Sequence, residues 1–157
     1  MPQTLNGNKA GFSIIEMLIA IAILAMALTA LLGMASFSLG IQGLVRQTTQ
    51  ADNLAQEAME AVRSIRDNNS WNQITNGSHG LASSDGYWSF SGTNDTIDVF
   101  ARIISIADVR RDASDNIVES GGIIDPDTKK ITVTVSWSER SRPHEIELIT
   151  YLTNWRQ

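Results

Sequence analysis

The feature that most constrains this chain is a run without a charged side chain, from Met17 to Val45, which directly follows Glu16. An apolar stretch of about 20 residues is long enough to cross the hydrocarbon core of a bilayer as a helix. The section from Met17 to Leu39 meets this length, and its Ala, Leu, Ile and Met residues favour a helix. The sequence therefore predicts a transmembrane segment over about residues 16–39.

Glu16 is isolated at the front of this apolar run, because the nearest charged side chain before it is Lys9. A carboxylate without a partner is costly in apolar surroundings and tends to be neutralised or paired. One interpretation is that Glu16 only stabilises the helix N-terminus through the helix dipole, by about 0.3–1 kcal/mol. That interpretation leaves the residues in front of Glu16 unexplained.

Those residues read Gly11-Phe12-Ser13-Ile14-Ile15-Glu16. The Gly–Phe junction, the lone acid at the fifth position counted from Phe12, and the apolar helix that follows together resemble the class III signal of type IV pilins and type II secretion pseudopilins. The resemblance implies a leader peptide of residues 1–11, which a prepilin peptidase removes by cutting between Gly11 and Phe12. It also implies that the same enzyme N-methylates Phe12 and that Glu16 is required for assembly.

Elementary electrostatics supplies a reason for that arrangement. Before cleavage the nitrogen of Phe12 is a neutral amide, whereas cleavage creates an α-amine with a pKa of about 7.7–8.0, which is largely cationic at neutral pH. In a filament this cation on one subunit is expected to neutralise Glu16 of a neighbour. An uncompensated acid at the centre of a membrane helix costs about 2.5–3.5 kcal/mol, and somewhat less near its end. Proteolysis is then expected to act as a switch for polymerisation.

An ordinary secretory signal is the competing interpretation of the N-terminus. It needs a shorter apolar region, of about 7–15 residues, followed by a small-residue cleavage site, which residues 32–35 offer loosely. Lys9, as a basic residue just before the span, favours a cytoplasmic N-terminus with the rest of the chain exported.

The helical pattern continues beyond the membrane segment. Apolar side chains recur there at steps of three and four residues, which predicts one buried stripe; its members are Ala51, Leu54, Ala55, Ala58, Met59, Val62 and Ile65. We expect a single helix over residues 12–66, or roughly 80 Å at 1.5 Å per residue, ending where Asp67-Asn68-Asn69-Ser70 breaks the pattern. Many pilins carry a proline where Gly33 stands, so two readings stay open for Gly33: local melting on assembly, or close packing of small residues.

The distal part, residues 67–157, reads as a globular antiparallel β domain. Ile131–Trp137 and Glu145–Trp155 alternate apolar and polar residues, which predicts an antiparallel hairpin. Ile97–Ala107 and Tyr87–Phe90 are further strand candidates. The predicted fold class is therefore α+β, with a long N-terminal helix whose outer half packs on a small antiparallel sheet, as in pilins.

Three segments of this domain are predicted to lie outside strands. Ser138–His144 is expected to form the hairpin loop, Asp125-Pro126-Asp127 a turn leading into the hairpin, and Asn76–Gly86 a mobile loop rich in Gly, Ser and Asn. These assignments place both histidines, His79 and His144, in loops.

Composition and motif content exclude several classes of function. The net charge of −5 resides in the distal domain, which has 13 acidic against 8 basic residues after Arg66, so no nucleic acid partner is predicted. The absence of cysteine excludes disulfides and thiolate chemistry. No nucleophile elbow, phosphate loop or metal-pair motif is present, so we predict no enzyme, no cofactor and no metal site. Five aspartates raise the question of a calcium site, but turn chemistry is the favoured interpretation; they are Asp108, Asp112, Asp115, Asp125 and Asp127.

The resemblance implies a structural subunit of a type IV pilus or a type II secretion pseudopilus. The hairpin ending near Trp155 and the lack of cysteine resemble minor rather than disulfide-closed major pilins. The implied partners are the prepilin peptidase and methyltransferase, other pilin or pseudopilin subunits, an inner-membrane assembly platform and the membrane. The implied location is the inner membrane, with the distal domain outside the cytoplasm, and then the filament. Two alternatives stay open: a pilus-tip adhesin that uses Asn76–Gly86, and an anchored or secreted domain that never polymerises.

Overall fold

The computed structural model describes residues 11, 13–68 and 71–155. Its first element is a helix, α1 (Ile14–Asn68). The carbonyl of Ser13 accepts hydrogen bonds of 3.1 Å from the backbone N–H groups of both Glu16 and Met17, which closes the first turn. Glu16 therefore lies at the positive end of the helix dipole, where a carboxylate is favourable.

The chain divides into two compact units, residues 1–43 and residues 44–157. In the described part of the first unit, the helix carries large apolar side chains that are exposed on every face. Among the described residues, α1 is the one helix that is long and apolar enough to cross a membrane, and none of its most apolar window is buried. The helix is unbroken at Gly33, Gly40 and Gly43.

The second unit contains the sheet. Its strands are β1 (Gly77–Ser84), β2 (Tyr87–Ser91), β3 (Asp95–Ile97), β4 (Phe100–Arg111), β5 (Ile117–Val118), β6 (Ile123–Glu139) and β7 (Arg142–Thr153). In the described part of the chain these seven strands form one sheet. Five of them stand in the order β2-β1-β4-β6-β7, and the short strands β3 and β5 both pair with β4. Strand β4 pairs with β6 and also with β1, β3 and β5, and every pairing is antiparallel.

The outer half of α1 covers one face of this sheet. The predicted apolar stripe is confirmed, since six of its seven members are buried, Leu54 is half-buried, and Ala61 is buried in addition. Alternate residues of the central strands pack in the same core as the stripe, because a strand directs every second side chain to the same face. The buried strand residues include Phe100, Ile104, Ile106, Ile131, Val133 and Val135. The predicted α+β architecture is thus confirmed.

The predicted hairpin is also confirmed, as β6 pairs with β7 over their full shared length. The expected loop over Ser138–His144 is wrong. The strands continue through it to the pair Glu139 and Arg142, leaving only Arg140 and Ser141 at the turn. Both turn residues have positive φ, 49° and 63°. A two-residue turn of this hand matches the twist of the strands, although its usual signal is Asn-Gly.

The expected mobile loop over Asn76–Gly86 is wrong as well. Most of it is strand β1, which pairs with β2 on one side and β4 on the other. A close approach of backbones explains why a glycine stands at its centre. A Cβ on Gly80 would lie 2.5 Å from the backbone carbonyl of Asn94, so no side chain fits there.

The expected turn at Asp125-Pro126-Asp127 lies inside β6 rather than before it. The register against β4 jumps from the Asp108–Lys129 pair to the Val109–Asp125 pair, so β6 carries three extra residues. A bulge accommodates proline, which has no N–H for the ladder. The Asp125 side chain accepts a hydrogen bond from the Asp127 N–H at 2.9 Å, so turn chemistry stabilises the bulge.

Candidate assembly site and helix–sheet joint

The N-terminal site is a lone carboxylate at the start of an exposed apolar helix. Glu16 makes no ion pair with any residue in the described ranges 13–68 and 71–155. Its side chain is exposed, as are those of its apolar neighbours in the helix. Any counter-charge for Glu16 therefore lies outside the described part of the chain.

The expected cleavage site precedes the helix. Gly11 is exposed and lies outside regular secondary structure, and a Cβ added to it would meet no atom within 4 Å. Phe12, the expected site of N-methylation, lies outside the described residues. Because α1 begins at Ile14, Gly11 is not held in helical hydrogen bonds.

A second charged site, which sequence analysis missed, joins the helix to the sheet. The guanidinium of Arg102 in β4 is almost wholly buried, and it pairs with Asp95 directly opposite it in β3. Its Nη2 lies 2.7 Å from Asp95 Oδ2, while its Nη1 donates to the carbonyl of Leu54 and to Glu57 Oε1 in α1, both at 3.1 Å. This one side chain therefore ties β3, β4 and α1 together.

The sequence carries a signal for this joint. Residues 100, 102, 104 and 106 of β4 share the inward face, so an arginine at 102 stands among apolar positions. Long charged residues are almost never fully buried unless they are paired. An inward-facing arginine therefore indicates a buried carboxylate partner nearby.

The aspartates that the sequence suggested as a possible calcium site take part in turns and ion pairs instead. Lys129 donates hydrogen bonds to Asp108 at 2.6 Å and to Asn76 at 2.9 Å. The Lys129 and Asn76 side chains lower the pKa of Asp108. Arg111, at 2.7 Å, and Thr128 lower the pKa of Asp125.

Asp112 closes its own turn. Its Oδ1 accepts hydrogen bonds from the backbone N–H groups of Ser114 and Asn116, at 2.8 and 2.9 Å. Bonds from the Asn116 backbone and side chain, followed by the Ser114 backbone, lower the pKa of Asp112. Among the residues that the structure describes, no group of three or more His, Cys, Asp or Glu side chains is arranged to hold a metal ion.

Both histidines lie in strands, so their assignment to loops is wrong. His79 in β1 packs against Phe90 at a ring-centroid distance of 4.7 Å, and its Nε2 is 2.9 Å from the carbonyl oxygen of Thr75. His144 in β7 stacks on Trp137 at 5.4 Å. Each imidazole is thus used in packing between neighbouring segments of the sheet domain.

Comparison with known proteins gives one family match. Residues 6–32 match the model of the prokaryotic N-terminal methylation motif, which covers Gly11, Phe12, Glu16 and the first half of the apolar run. No curated protein and no solved structure gives a significant match to the chain. The motif, the lone Glu16 and the exposed apolar helix together identify the N-terminal segment of this chain as that of a type IV pilin-like prepilin.

Proposed function

We propose that this chain is a structural subunit that is cleaved between Gly11 and Phe12, N-methylated on Phe12 and assembled into a type IV pilus or a type II secretion pseudopilus. One observation carries the proposal. Glu16 lies in the first turn of an exposed apolar helix, within the segment that matches the methylation motif, and no residue that the structure describes supplies it with a counter-charge. An apolar helix of this kind requires lipid or other helices around it.

The mechanism is charge neutralisation between subunits. The α-amine of Phe12, created by cleavage, pairs with Glu16 of a neighbouring subunit, and this pair sets the axial register of the packed helices. Pairing removes the cost of an isolated charge in surroundings of low dielectric constant. The leader, residues 1–11, stays in the cytoplasm, residues 16–39 span the inner membrane, and the domain of residues 67–157 faces outward.

The partners are those that the prepilin motif implies. A prepilin peptidase and methyltransferase processes the N-terminus, and an inner-membrane platform transfers the subunit from the lipid into the filament. Other pilin or pseudopilin subunits supply the neighbouring helices. We assign the chain to the minor subunits, on the lack of cysteine and the tryptophan-ended hairpin.

The test of this proposal is a variant that blocks cleavage. We expect Gly11→Val to accumulate in the membrane with its leader attached and to be missing from sheared filaments, because a branched side chain stands at the scissile bond. The fold offers no other reason for failure, since a Cβ at Gly11 meets nothing within 4 Å. Gly33→Val is the matched control, with the same open space around it, and its leader should be removed normally.

Immunoblots of membrane and sheared-filament fractions measure both outcomes. Filaments that contain uncleaved Gly11→Val would contradict the proposal. The same fractions separate the alternatives, because an anchored or secreted domain never enters the filament fraction. The adhesin alternative relied on Asn76–Gly86 as a mobile binding loop. Most of this segment is strand β1, so it is not a free loop that could bind a surface.

A further inference from the structure

The direction of β6 along α1 places the turn between β6 and β7 at one end of the second unit. Near the start of β6, the carbonyl of Pro126 accepts a hydrogen bond of 3.0 Å from the indole of Trp71, which lies just past the C-terminal end of α1. Further along β6, Val135 pairs with Arg102, which donates to the carbonyl of Leu54 in α1. Strand β6 therefore runs back along α1 toward lower residue numbers, and its turn into β7 lies beyond Leu54 in that direction.

Arg46 lies at the same end of the second unit as this turn. On α1, Arg46 precedes Leu54 by about 12 Å at 1.5 Å per residue. Arg140 is the first residue of the turn and follows Val135 by about 17 Å along the strand. The two distances run in the same direction and are similar, so both arginines lie at this end.

The turn between β3 and β4 lies there too. Asp98 and Val99 form this two-residue turn, because Ile97 pairs with Phe100. The ring of Phe100 in turn contacts that of Trp137, in the last part of β6, at a centroid distance of 5.7 Å. We name this end of the second unit the hairpin end; its residues are Arg46, Asp98, Val99 and 138–143.

The hairpin end differs in charge from the rest of an acidic domain. Arg46, Arg140 and Arg142 are all exposed, and none of them makes an ion pair with a residue in the ranges that the structure describes. The acids of this end are Asp98 and Glu139, so cations exceed anions here, although the chain carries a net charge of −5. The hairpin end therefore presents guanidinium groups that are available to an anionic partner.

The chain itself brings the hairpin end to a membrane surface. The uncharged run from Met17 to Val45 is about 44 Å long as a helix, and a bilayer with its headgroup regions is about 40–45 Å thick. Arg46 follows this run directly. A membrane that buries the run therefore has its outer headgroups at Arg46. Val99 of the hairpin end is 53% exposed, and an apolar side chain among arginines suits the boundary between lipid and water.

We propose that the hairpin end binds anionic lipid headgroups at the outer surface of the membrane before the subunit is assembled, with Arg46, Arg140 and Arg142 on lipid phosphates. The planar guanidinium matches phosphate oxygens with paired hydrogen bonds. Basic residues beside a membrane span are attracted to anionic lipids. The contact holds the sheet domain on the bilayer until the subunit leaves the lipid. This inference rests on the proposed function, because it requires the membrane span, and it adds a lipid partner for the domain outside the bilayer.

A fluorophore at the hairpin end tests this contact in the full-length chain, reconstituted in vesicles without other filament proteins. The chain has no cysteine, so Ser138→Cys, at an exposed position, accepts a single thiol-reactive label. The vesicles contain phosphatidylcholine with a spin label on its headgroup, which quenches nearby fluorophores, and either contain or lack phosphatidylglycerol. We expect quenching to be roughly twofold stronger with phosphatidylglycerol. A label on Ser114→Cys, exposed in the turn past the other end of β4, should show no such increase.

Substitution of the arginines shows whether they cause the increase. Arg140→Asn combined with Arg142→Gln removes two cations, and asparagine tolerates the positive φ of 49° at the first position. In this double variant, quenching of the Ser138→Cys label with phosphatidylglycerol should fall to the level without it. The matched control combines Arg110→Gln with Lys130→Gln. It also removes two cations that have no ion pair to a described residue, but outside the hairpin end, and it should keep the full increase.

Quenching that requires both phosphatidylglycerol and the two arginines of the hairpin turn supports the lipid contact. Equal quenching in the two kinds of vesicle, or an equal loss in both double variants, overturns the contact while the proposed function stands. A chain that alkaline washing releases from the vesicles has no membrane span. In that case the proposed function fails first, and the lipid contact fails with it.

Discussion

Replacing Glu16 with glutamine should remove the chain from filaments while its leader is still cleaved. Glutamine keeps the size of the side chain but carries no charge, so the α-amine of the neighbouring subunit is left without a partner. An uncompensated charge costs about 2.5–3.5 kcal/mol at the centre of a membrane helix, and somewhat less near its end, where Glu16 lies. The expected loss in subunit affinity is therefore at most about two orders of magnitude. Cleavage should persist because Gly11 lies outside the helix that carries Glu16.

The matched control is Asp52→Asn, which neutralises another exposed carboxylate on the same helix, in its outer half. This variant should enter filaments at the wild-type level. The two variants are compared by the ratio of filament-bound to membrane-bound subunit on quantitative immunoblots. Normal incorporation of Glu16→Gln would refute the charge-pair mechanism, whatever the behaviour of the control.

Replacing Arg102 with leucine should destabilise the distal domain by about 3–5 kcal/mol. This is the usual cost of removing one partner from a buried ion pair, and a large part of the 5–15 kcal/mol that stabilises a typical domain. Only 3% of the Arg102 side chain is exposed, and its loss removes the cation that pairs with Asp95, which keeps only the Leu81 N–H at 3.2 Å among its described hydrogen-bond donors. Urea unfolding of the full chain in mild detergent, followed by tryptophan fluorescence, measures the change.

Arg63→Leu is the control for this prediction. Arg63 pairs with Glu60 on the helix surface, where both side chains are largely exposed. Such pairs contribute about 0.2–1 kcal/mol, so the midpoint of unfolding should barely change. An Arg102 variant as stable as the Arg63 variant would show that the buried cluster does not hold the helix on the sheet. The double variant with Arg102→Met and Asp95→Leu should regain stability, because it removes both charges together.

The parts of the fold that sequence reasoning predicted are those in which burial follows a period. The stripe on the outer half of α1 recurs at three and four residues, and the two strands of the hairpin alternate over residues 131–137 and 145–152. In each case one face packs on the core, so the hydrophobic pattern determines which residues face inward. Glu16 was identified for the opposite reason, since a charge interrupts an apolar pattern.

The errors fall where tertiary contacts override local preference. Strand β1 reads Gly-Ser-His-Gly-Leu-Ala-Ser-Ser, a composition typical of a loop, and it is held by neighbours on both of its edges. Its Gly80 is required by a contact with Asn94, which is 14 residues away, and no local pattern indicates that contact. Pro126 is typical of a turn. The turn-like hydrogen bond from the Asp127 N–H to the Asp125 side chain is present, but it lies inside a bulge of β6.

The contacts of Arg102 can be predicted from the sequence only in part. Its inward position follows from the alternation of β4, yet its partners come from β3 and from two positions on α1. Single-residue patterns indicate that a buried arginine needs a carboxylate, but the pairing of β3 with β4 selects Asp95 and the packing of helix on sheet selects Glu57.

In the proposed assembly, cleavage frees an α-amine on Phe12, which pairs with Glu16 of the adjacent subunit. The most direct measurement is the mass of the intact subunit released from purified filaments, together with fragmentation of its N-terminal peptide. We expect a chain that begins at Phe12 and carries one methyl group on its nitrogen. A filament subunit that begins at Met1, or at a residue beyond Glu16, would contradict it, because the amine or its acidic partner would then be missing.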